Sequence, residues 1–489
     1  MELPESSLNH ENSSNEVCLL KKSIYGLKQS GHEWNEKLDQ ILTSIGLERS
    51  RMDPCVYFSK DIILGVYVDD LLVTTSSVEA YVKFKSSIQR EVDIKDLGEV
   101  SDLLSVRIKR NKESNLELDQ THYIEEILKE YGMEHAKEAS TPLDPGMFTE
   151  GPEGKEACRA PYQQAIGNLL WLAGMTRPDI AYAVSYLSKF NSSPLQQHWN
   201  AVKHLLRYLK KTKDLKLVFS KTGKKLAAFA DADWGSDKED RKSYSGYIFV
   251  LGGAAISWCS RKQKCVALST AEAEYYAMCE AAKEALWFTS FMEEIGVGDF
   301  KESPLKIYID NQGAMFLAEN EVVSERSKHI DIRHFFIRDL IKDGNLSFVY
   351  VPTEENPADL FTKNLKAPAL QQNYTKLGLF ILVRDFLRDR RISLSFGERK
   401  LERNCARGCP QGSCCGPILW NILVNTVFQE ELPEGARLVL YADEQFLTIE
   451  AASRAKAEKC VGTSLQILSI WALSSMSPKL KPSALSLGT

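Results

Sequence analysis

The spacing of apolar and polar positions changes period several times along the chain. Leu226, Ala227, Ala228, Phe229 and Ala230 form a short apolar run that stops at Asp231, Ala232 and Asp233. A run of that length bounded by polar turn residues predicts a buried strand. The carboxylates at its end cannot be core, because burying an unpaired charge is costly. They sit at a solvent turn or hold a cation. The same ending recurs where Leu305–Ile309 runs into Asp310, followed by Asn311, Gln312 and Gly313. Between these two runs, Tyr247–Leu251, Ala255–Trp258 and Val266–Ser269 predict strands of an antiparallel meander leading away from the Asp231 strand. A helix is then expected, with Ser269 or Thr270 as its N-cap and acids in its first turn, carrying Glu272, Glu274 and Glu280. A further helix and strand lead to Asn356-Pro357-Ala358-Asp359, a helix start that carries an acid.

Elsewhere the pattern is equally readable. The first dozen or so residues are polar and expected to be loose. From Glu33, the positions Trp34, Leu38, Ile41, Leu42 and Ile45 have helical spacing. Ile62–Val68 and Leu71–Val73 are two β-rich runs interrupted by Asp69 and Asp70, which predicts a hairpin with acids at its turn. Residues 140–154 are rich in Pro and Gly and read as a linker. After a mostly apolar helical region comes HWNAVKHLLRYLKK, in which Val202, Leu205, Leu206 and Leu209 face a core. Lys203, His204, Arg207, Lys210 and Lys211 form its basic face, either solvated or set against a nucleic-acid backbone.

Composition narrows the class. A chain of 489 residues has room for two to four domains, and 44% hydrophobic with 26% charged residues is ordinary for a globular protein. The formal net charge of -5 means that nucleic-acid binding must rest on local basic faces. Eleven scattered cysteines and a start without a basic and apolar leader pattern lead to an expectation of reduced thiols in a cytoplasmic or nuclear setting, not secretion. The longest apolar runs are too short to span a bilayer, so no membrane partner is expected.

Three groups of motifs carry a resemblance. Tyr67-Val68-Asp69-Asp70 resembles the YxDD box of reverse transcriptases, and Tyr25-Gly26-Leu27-Lys28-Gln29 resembles the YGLKQ box of copia-type LTR retrotransposon Pol proteins. The resemblance implies that Asp69 and Asp70 bind divalent ions and that Gln29 lies near the template base, with RNA template and DNA primer as partners. Asp96-Leu97-Gly98-Glu99 resembles a primer-side segment of that family, with Ser105 where Gly is usual. The family's upstream catalytic Asp has no counterpart here, so no polymerase activity is expected from this region. A second copy, or a full-length Pol chain, is the protein partner this implies.

FADADWGSD, LSTAEAEYYA, KIYIDNQGA, HIDIRHFFIRD and ENPADLFTK resemble the RNase H part of copia-type Pol. The order strand-Asp, strands, helix-Glu, strand-Asp, helix, strand, helix-Asp is that of the RNase H fold. By motif match, Asp231, Glu274, Asp310 and Asp359 are the implied metal ligands, with Asp233 and Glu272 as rivals for the first two places. The implied chemistry is hydrolysis of the RNA strand of an RNA–DNA hybrid with two Mg²⁺ (or Mn²⁺) ions. His329, His334, Lys328, Arg333 and Arg338 read as surface or duplex-contacting groups rather than a zinc site. Thr353 and Glu354 stand where many cellular RNases H carry a mobile His.

Ala406–Ser413 with Gly416–Asn421 resembles the PQGS…GPxLWN box of non-LTR (LINE-type) reverse transcriptases. Gln411 and Gly412 would there contact nucleic acid. Val439–Glu444 resembles that family's YADD hairpin, with Asp443 as the metal-binding acid and Glu444 in the second place. Cys405, Cys409, Cys414 and Cys415 lack a CxxC pair and do not read as a zinc site. The expected architecture is a multidomain α/β chain. It comprises a truncated reverse transcriptase palm and thumb (1–145), a helical connection (146–225), an RNase H-like mixed sheet with flanking helices (226–365) and a second partial palm (366–489).

Overall fold

In the computed structural model, the described residues are 23–24, 27–111, 114–144, 156–319, 331–381, 391–396, 399–404, 436–441 and 444–449. The chain divides into two units, residues 1–380 and 381–489.

The first unit begins with α1 (Ser30–Ser44), β1 (Glu48–Arg49), β2 (Val56–Phe58), β3 (Ile62–Tyr67), β4 (Asp70–Thr75) and α2 (Val78–Ile88). The four strands pair in sequence order as an antiparallel sheet. Helical spacing puts Leu38, Ile41 and Leu42 of α1 on one buried face, where they pack with Tyr57, Leu64, Phe84 and Ile88. Then come β5 (Asp102–Leu103), β6 (Val106–Arg110), β7 (Leu116–Asp119) and α3 (Thr121–Glu130). The β5–β6 turn holds Leu104 at φ 53 and Ser105 at φ 64, both left-handed, as a two-residue hairpin turn with matching twist requires. Glycine tolerates that region without strain. Ser105→Gly is therefore expected to stabilise the fold by about 0.5–1 kcal/mol, read as a higher urea midpoint at unchanged slope.

α4 (Tyr162–Met175), α5 (Ala181–Ser188) and α6 (Gln196–Lys211) form the helical region, followed by β8 (Leu215–Phe219). Its centre is a buried charge network. The fully buried Arg177 donates from Nε and Nη2 to the two carboxylate oxygens of Asp179 at 2.9 and 2.7 Å. It also donates to the Thr212 carbonyl and hydroxyl at 3.0 and 2.6 Å, and Tyr208 donates its hydroxyl to Asp179 at 2.7 Å.

The remainder of the unit comprises β9 (Ala227–Ala232), β10 (Tyr244–Leu251), β11 (Ala254–Lys262), α7 (Thr270–Glu294), β12 (Leu305–Ile309), α8 (Gln312–Glu319), α9 (Asp331–Lys342), β13 (Leu346–Tyr350), α10 (Ala367–Lys376) and β14 (Leu379–Ile381). The central sheet has the order β11-β10-β9-β12-β13. β9, β10 and β11 are antiparallel, while β12 is parallel to β9 and to β13. This is the mixed sheet expected of an RNase H fold. Ala273, Ala277, Ala281, Ala282 and Ala285 line the buried side of α7, where small side chains let the helix close on Ala228 and Ala230 of β9. α7 also reaches the first sheet: the Glu294 carboxylate accepts from the Ser50 hydroxyl at 2.6 Å and the Arg51 amide at 2.9 Å. β14, β8, β7, β6 and β5 form a third sheet in that order, so residues just beyond the expected boundary at 365 pack with this unit.

Two expected elements differ. Val266–Ser269 is not a strand. β11 extends to Lys262 and completes the meander, while Val266 and Leu268 are exposed in the loop that starts α7. The helix start expected at Asn356–Asp359 is a 3₁₀ turn, Pro357–Phe361, with the Asn356 side chain accepting from the Ala358 amide.

The second unit contains two antiparallel hairpins, β15 (Arg391–Phe396) with β16 (Arg399–Asn404), and β17 (Ala436–Tyr441) with β18 (Glu444–Ile449). Tyr441 pairs with Glu444, so the strands expected around the YADE motif are present. Gln411, Gly412, Asp443 and the cysteines Cys405, Cys409, Cys414 and Cys415 lie outside the described residues, as do Tyr25, Gly26, Lys328, His329 and most of the 140–154 linker. Among the described residues no helix is long and apolar enough to cross a membrane.

Candidate active site

Parallel pairing brings the acids together. Ile307 and Tyr308 of β12 sit opposite Ala228 and Phe229 of β9, a register that carries Asp310 to the level of Asp231. The turn Pro357–Phe361 adds Asp359. One carboxylate oxygen from each of Asp231, Asp310 and Asp359 lies within 4.8 Å of the others, the one such acidic group among the described residues.

Small residues make this approach possible. Gly246 of β10 is the cross-strand partner of Asp231. A Cβ at Gly246 would lie 2.5 Å from the Phe361 Cβ, 3.1 Å from the Thr362 Cγ2 and 3.2 Å from the Ala358 carbonyl oxygen. Only glycine lets the turn bearing Asp359 rest on the sheet beside Asp231. Gly246→Ala is expected to displace that turn, costing about 1–3 kcal/mol by denaturant unfolding and weakening divalent-ion binding in titration. Asn356 holds the turn from the other side, donating to the Ala230 carbonyl at 2.9 Å.

Glu274 enters from the first turns of α7. It is buried, and its carboxylate accepts from the Ala232 amide. Its second oxygen, Oε2, is buried with no hydrogen-bond partner among the described residues. Burial, with Asp231 and Asp310 nearby, pushes Glu274 well above the usual carboxylate range. Burial and the Asp359 charge push Asp231 up to about 7, opposed by Lys363 and by the Thr362 hydroxyl, which donates to it. Asp359 is raised by burial and restrained by Lys363, whose ammonium lies 2.8 Å from its Oδ1. The Thr353 hydroxyl donates to Asp310 Oδ2 at 2.7 Å.

An orphaned carboxylate oxygen beside three converging acids is what a divalent cation would satisfy. An all-oxygen set suits Mg²⁺ or Mn²⁺ rather than zinc. The rivals are committed elsewhere. Asp233 accepts from the Tyr244 amide and, at 2.9 Å, from the Ser236 amide. Glu272 closes the N-terminus of α7 by accepting from the Leu268 amide at 2.6 Å, while Ser269 caps the Glu272 amide.

The remaining expected residues lie on other elements. Asp69 and Asp70 are exposed at the β3–β4 turn, where Tyr67 pairs with Asp70 and Val68 is left-handed at φ 51. The Trp34 indole donates to the Val68 carbonyl at 2.8 Å and pins that turn. Gln29 is exposed at the N-cap position of α1. The basic face of α6 serves the fold. Arg207 donates to the Lys137 carbonyl at 2.5 Å, Lys210 to the Ala136 carbonyl at 2.9 Å, and Lys211 to the Ser140 hydroxyl at 2.8 Å. These three cations, like Lys203, are half-buried and keep part of their side chains exposed. His334 and Arg338 are buried rather than at the surface. His334 packs 4.4 Å from the Tyr275 ring, and Arg338 donates to the Leu317 carbonyl at 3.2 Å. Arg333 lies over the Tyr276 ring at 3.8 Å. Sequence reasoning missed Thr362 and Lys363 as site residues, although their place directly after the Asp359 turn was a usable signal.

Comparison with known proteins finds relatives of this chain. The family description "Reverse transcriptase (RNA-dependent DNA polymerase)" matches residues 2–145 and, in a second form, residues 361–481. The chain is 40% identical over 360 residues to the Pol polyprotein from transposon TNT 1-94 of Nicotiana tabacum, covering 71% of this chain and 27% of that one. It is 33% identical over 285 residues to the putative transposon Ty5-1 protein of Saccharomyces cerevisiae, covering 56% of this chain and 92% of that one. RNase H1 from Halobacterium salinarum is a solved structure similar to 28% of this chain and 94% of its own, at 18% identity and a TM-score of 0.22. The chain belongs to the copia-type retrotransposon Pol family. It spans about a quarter of the length of the TNT 1-94 and RE1 polyproteins.

Proposed function

We propose that the chain hydrolyses the RNA strand of RNA–DNA hybrids at the site formed by Asp231, Glu274, Asp310 and Asp359. The observation that carries this reading is the convergence of three aspartate carboxylates within 4.8 Å, two from the ends of the neighbouring parallel strands β9 and β12 and one from the turn Pro357–Phe361. A pair of Mg²⁺ or Mn²⁺ ions held there would activate water and stabilise the leaving 3′-oxyanion. Asp231 and Asp359 share the buried side of the cluster. Asp310 is the more open member, oriented by Thr353. Glu274 offers its free Oε2 from the helix side. Thr362 fixes the Asp231 carboxylate, so the ligands are held before ions arrive.

The proposal is confined to the acidic cluster around Asp231; Asp69 and Asp70 are exposed at the β3–β4 turn. The reading is tested with three labelled substrates: an RNA–DNA hybrid, single-stranded RNA and a DNA duplex, each incubated with the full chain and Mg²⁺ or Mn²⁺. Cleavage confined to the RNA strand of the hybrid is expected. Equal cleavage of single-stranded RNA would reject hybrid specificity. Hybrid binding without cleavage would leave a catalytically inactive binding module.

A further inference from the structure

We infer that Lys363 is a built-in competitor for the divalent ions, a positioning residue that sets how tightly the acidic cluster binds them. The inference rests on the proposed function and adds a residue that the motif match did not assign. Lys363 follows Thr362, which donates to Asp231, and lies four residues after Asp359. Its ammonium is 2.8 Å from Asp359 Oδ1, and its side chain is 43% exposed. It therefore reaches the acids from the solvent side, on a stem that can swing away without disturbing the sheet.

The arrangement has a direct consequence. Asp231, Asp310 and Asp359 cannot sit within 4.8 Å of one another as three free anions without strong repulsion. Lys363 supplies positive charge in their midst. A divalent ion binding Asp359 must displace that ammonium or share the carboxylate with it, so each binding event includes the loss of an ion pair. Asp359 is the ligand most affected, because Lys363 contacts it directly. Thr362 and Thr353 hold the other two aspartates by neutral hydroxyl bonds that need not break. The lysine weakens ion binding and, in the same measure, keeps the cluster folded at low ion concentration.

The test uses the full chain and its Lys363→Met and Lys363→Arg variants. Mn²⁺ binding is followed by titration calorimetry without nucleic acid, and thermal unfolding is measured in chelator and in saturating Mg²⁺. Lys363→Met is expected to bind Mn²⁺ roughly fivefold more tightly, a modest factor because the pair is half-exposed. It is also expected to unfold at lower temperature than the parent in chelator but not in saturating Mg²⁺. Lys363→Arg, which keeps the charge, is expected to stay near the parent. Unchanged Mn²⁺ affinity in Lys363→Met, with the parent still binding Mn²⁺, would overturn this inference and leave the proposed function intact. Destabilisation of Lys363→Met that persists in saturating Mg²⁺ would likewise overturn it, marking a purely structural lysine. A folded parent that binds no Mn²⁺ would instead reject the acidic cluster as an ion site, and the proposed function with it.

Discussion

Asp231→Asn is expected to lower hybrid hydrolysis by roughly a thousandfold or more, because it removes a charge from the centre of the ligand set. The same substitution is expected to stabilise the chelated protein above neutral pH. Burial and Asp359 hold the folded-state carboxyl at about 7, against an ordinary value of 3.8. A raised folded-state value means that the group's contribution to stability is fully present below about pH 4, where both states are protonated. As pH rises from there, the unfolded chain releases its proton first. The folded state then loses stability by up to about 1.4 kcal/mol per pH unit, until the folded carboxyl ionises near pH 7. Thermal unfolding in chelator from pH 4 to 8 checks this. The parent should show the decline and the Asn variant a flatter profile, with saturating Mg²⁺ raising the parent alone. Identical profiles would mean that the Asp231 charge is not confined as the structure places it.

The second large effect concerns Arg177. This guanidinium is buried with all of its described bonds made inside the protein, to Asp179 and Thr212. Arg177→Met leaves the buried Asp179 carboxylate with only the Tyr208 hydroxyl. A loss of about 3–5 kcal/mol is expected, since removing one partner strands the other charge in a low-dielectric interior. The double variant Arg177→Met with Asp179→Leu should recover part of that loss, because no buried charge remains. Urea unfolding of both variants separates this from a packing defect. A double variant no better than the single one would show that shape, not charge, is the cause.

Sequence pattern went furthest where the causes are local. Alternating and helical apolar spacing, a serine N-cap and an acid at each strand end placed β9, α7 and β12, and with them Asp231, Glu274 and Asp310. Local pattern could not choose between Glu272 and Glu274. The two differ in tertiary contacts: the Leu268 amide donates to Glu272, while Glu274 is buried with Asp231 and Asp310 nearby. Gly246 carried no signal of its own. Its role arises only when the Phe361 turn, over a hundred residues later, presses on the strand. The internal partners of the α6 basic face were hidden for the same reason, because the carbonyls that accept from Arg207 and Lys210 lie 70 and 74 residues earlier in the chain. Val266–Ser269 read as a strand because short apolar runs carry no information about whether a sheet edge awaits them.

The central claim is that four acids from separate elements act as one ion-dependent hydrolytic site. Cleavage of a labelled RNA–DNA hybrid by the full chain, compared with its Asp310→Asn variant in Mg²⁺ or Mn²⁺, tests it most directly. Asp310 is the most open of the three aspartates, so its replacement disturbs packing least. RNA-strand cleavage by the parent, lost in a variant that remains folded and still binds the hybrid, is the predicted result. Cleavage retained by Asp310→Asn, or absent from a folded parent that binds the hybrid, would contradict the account.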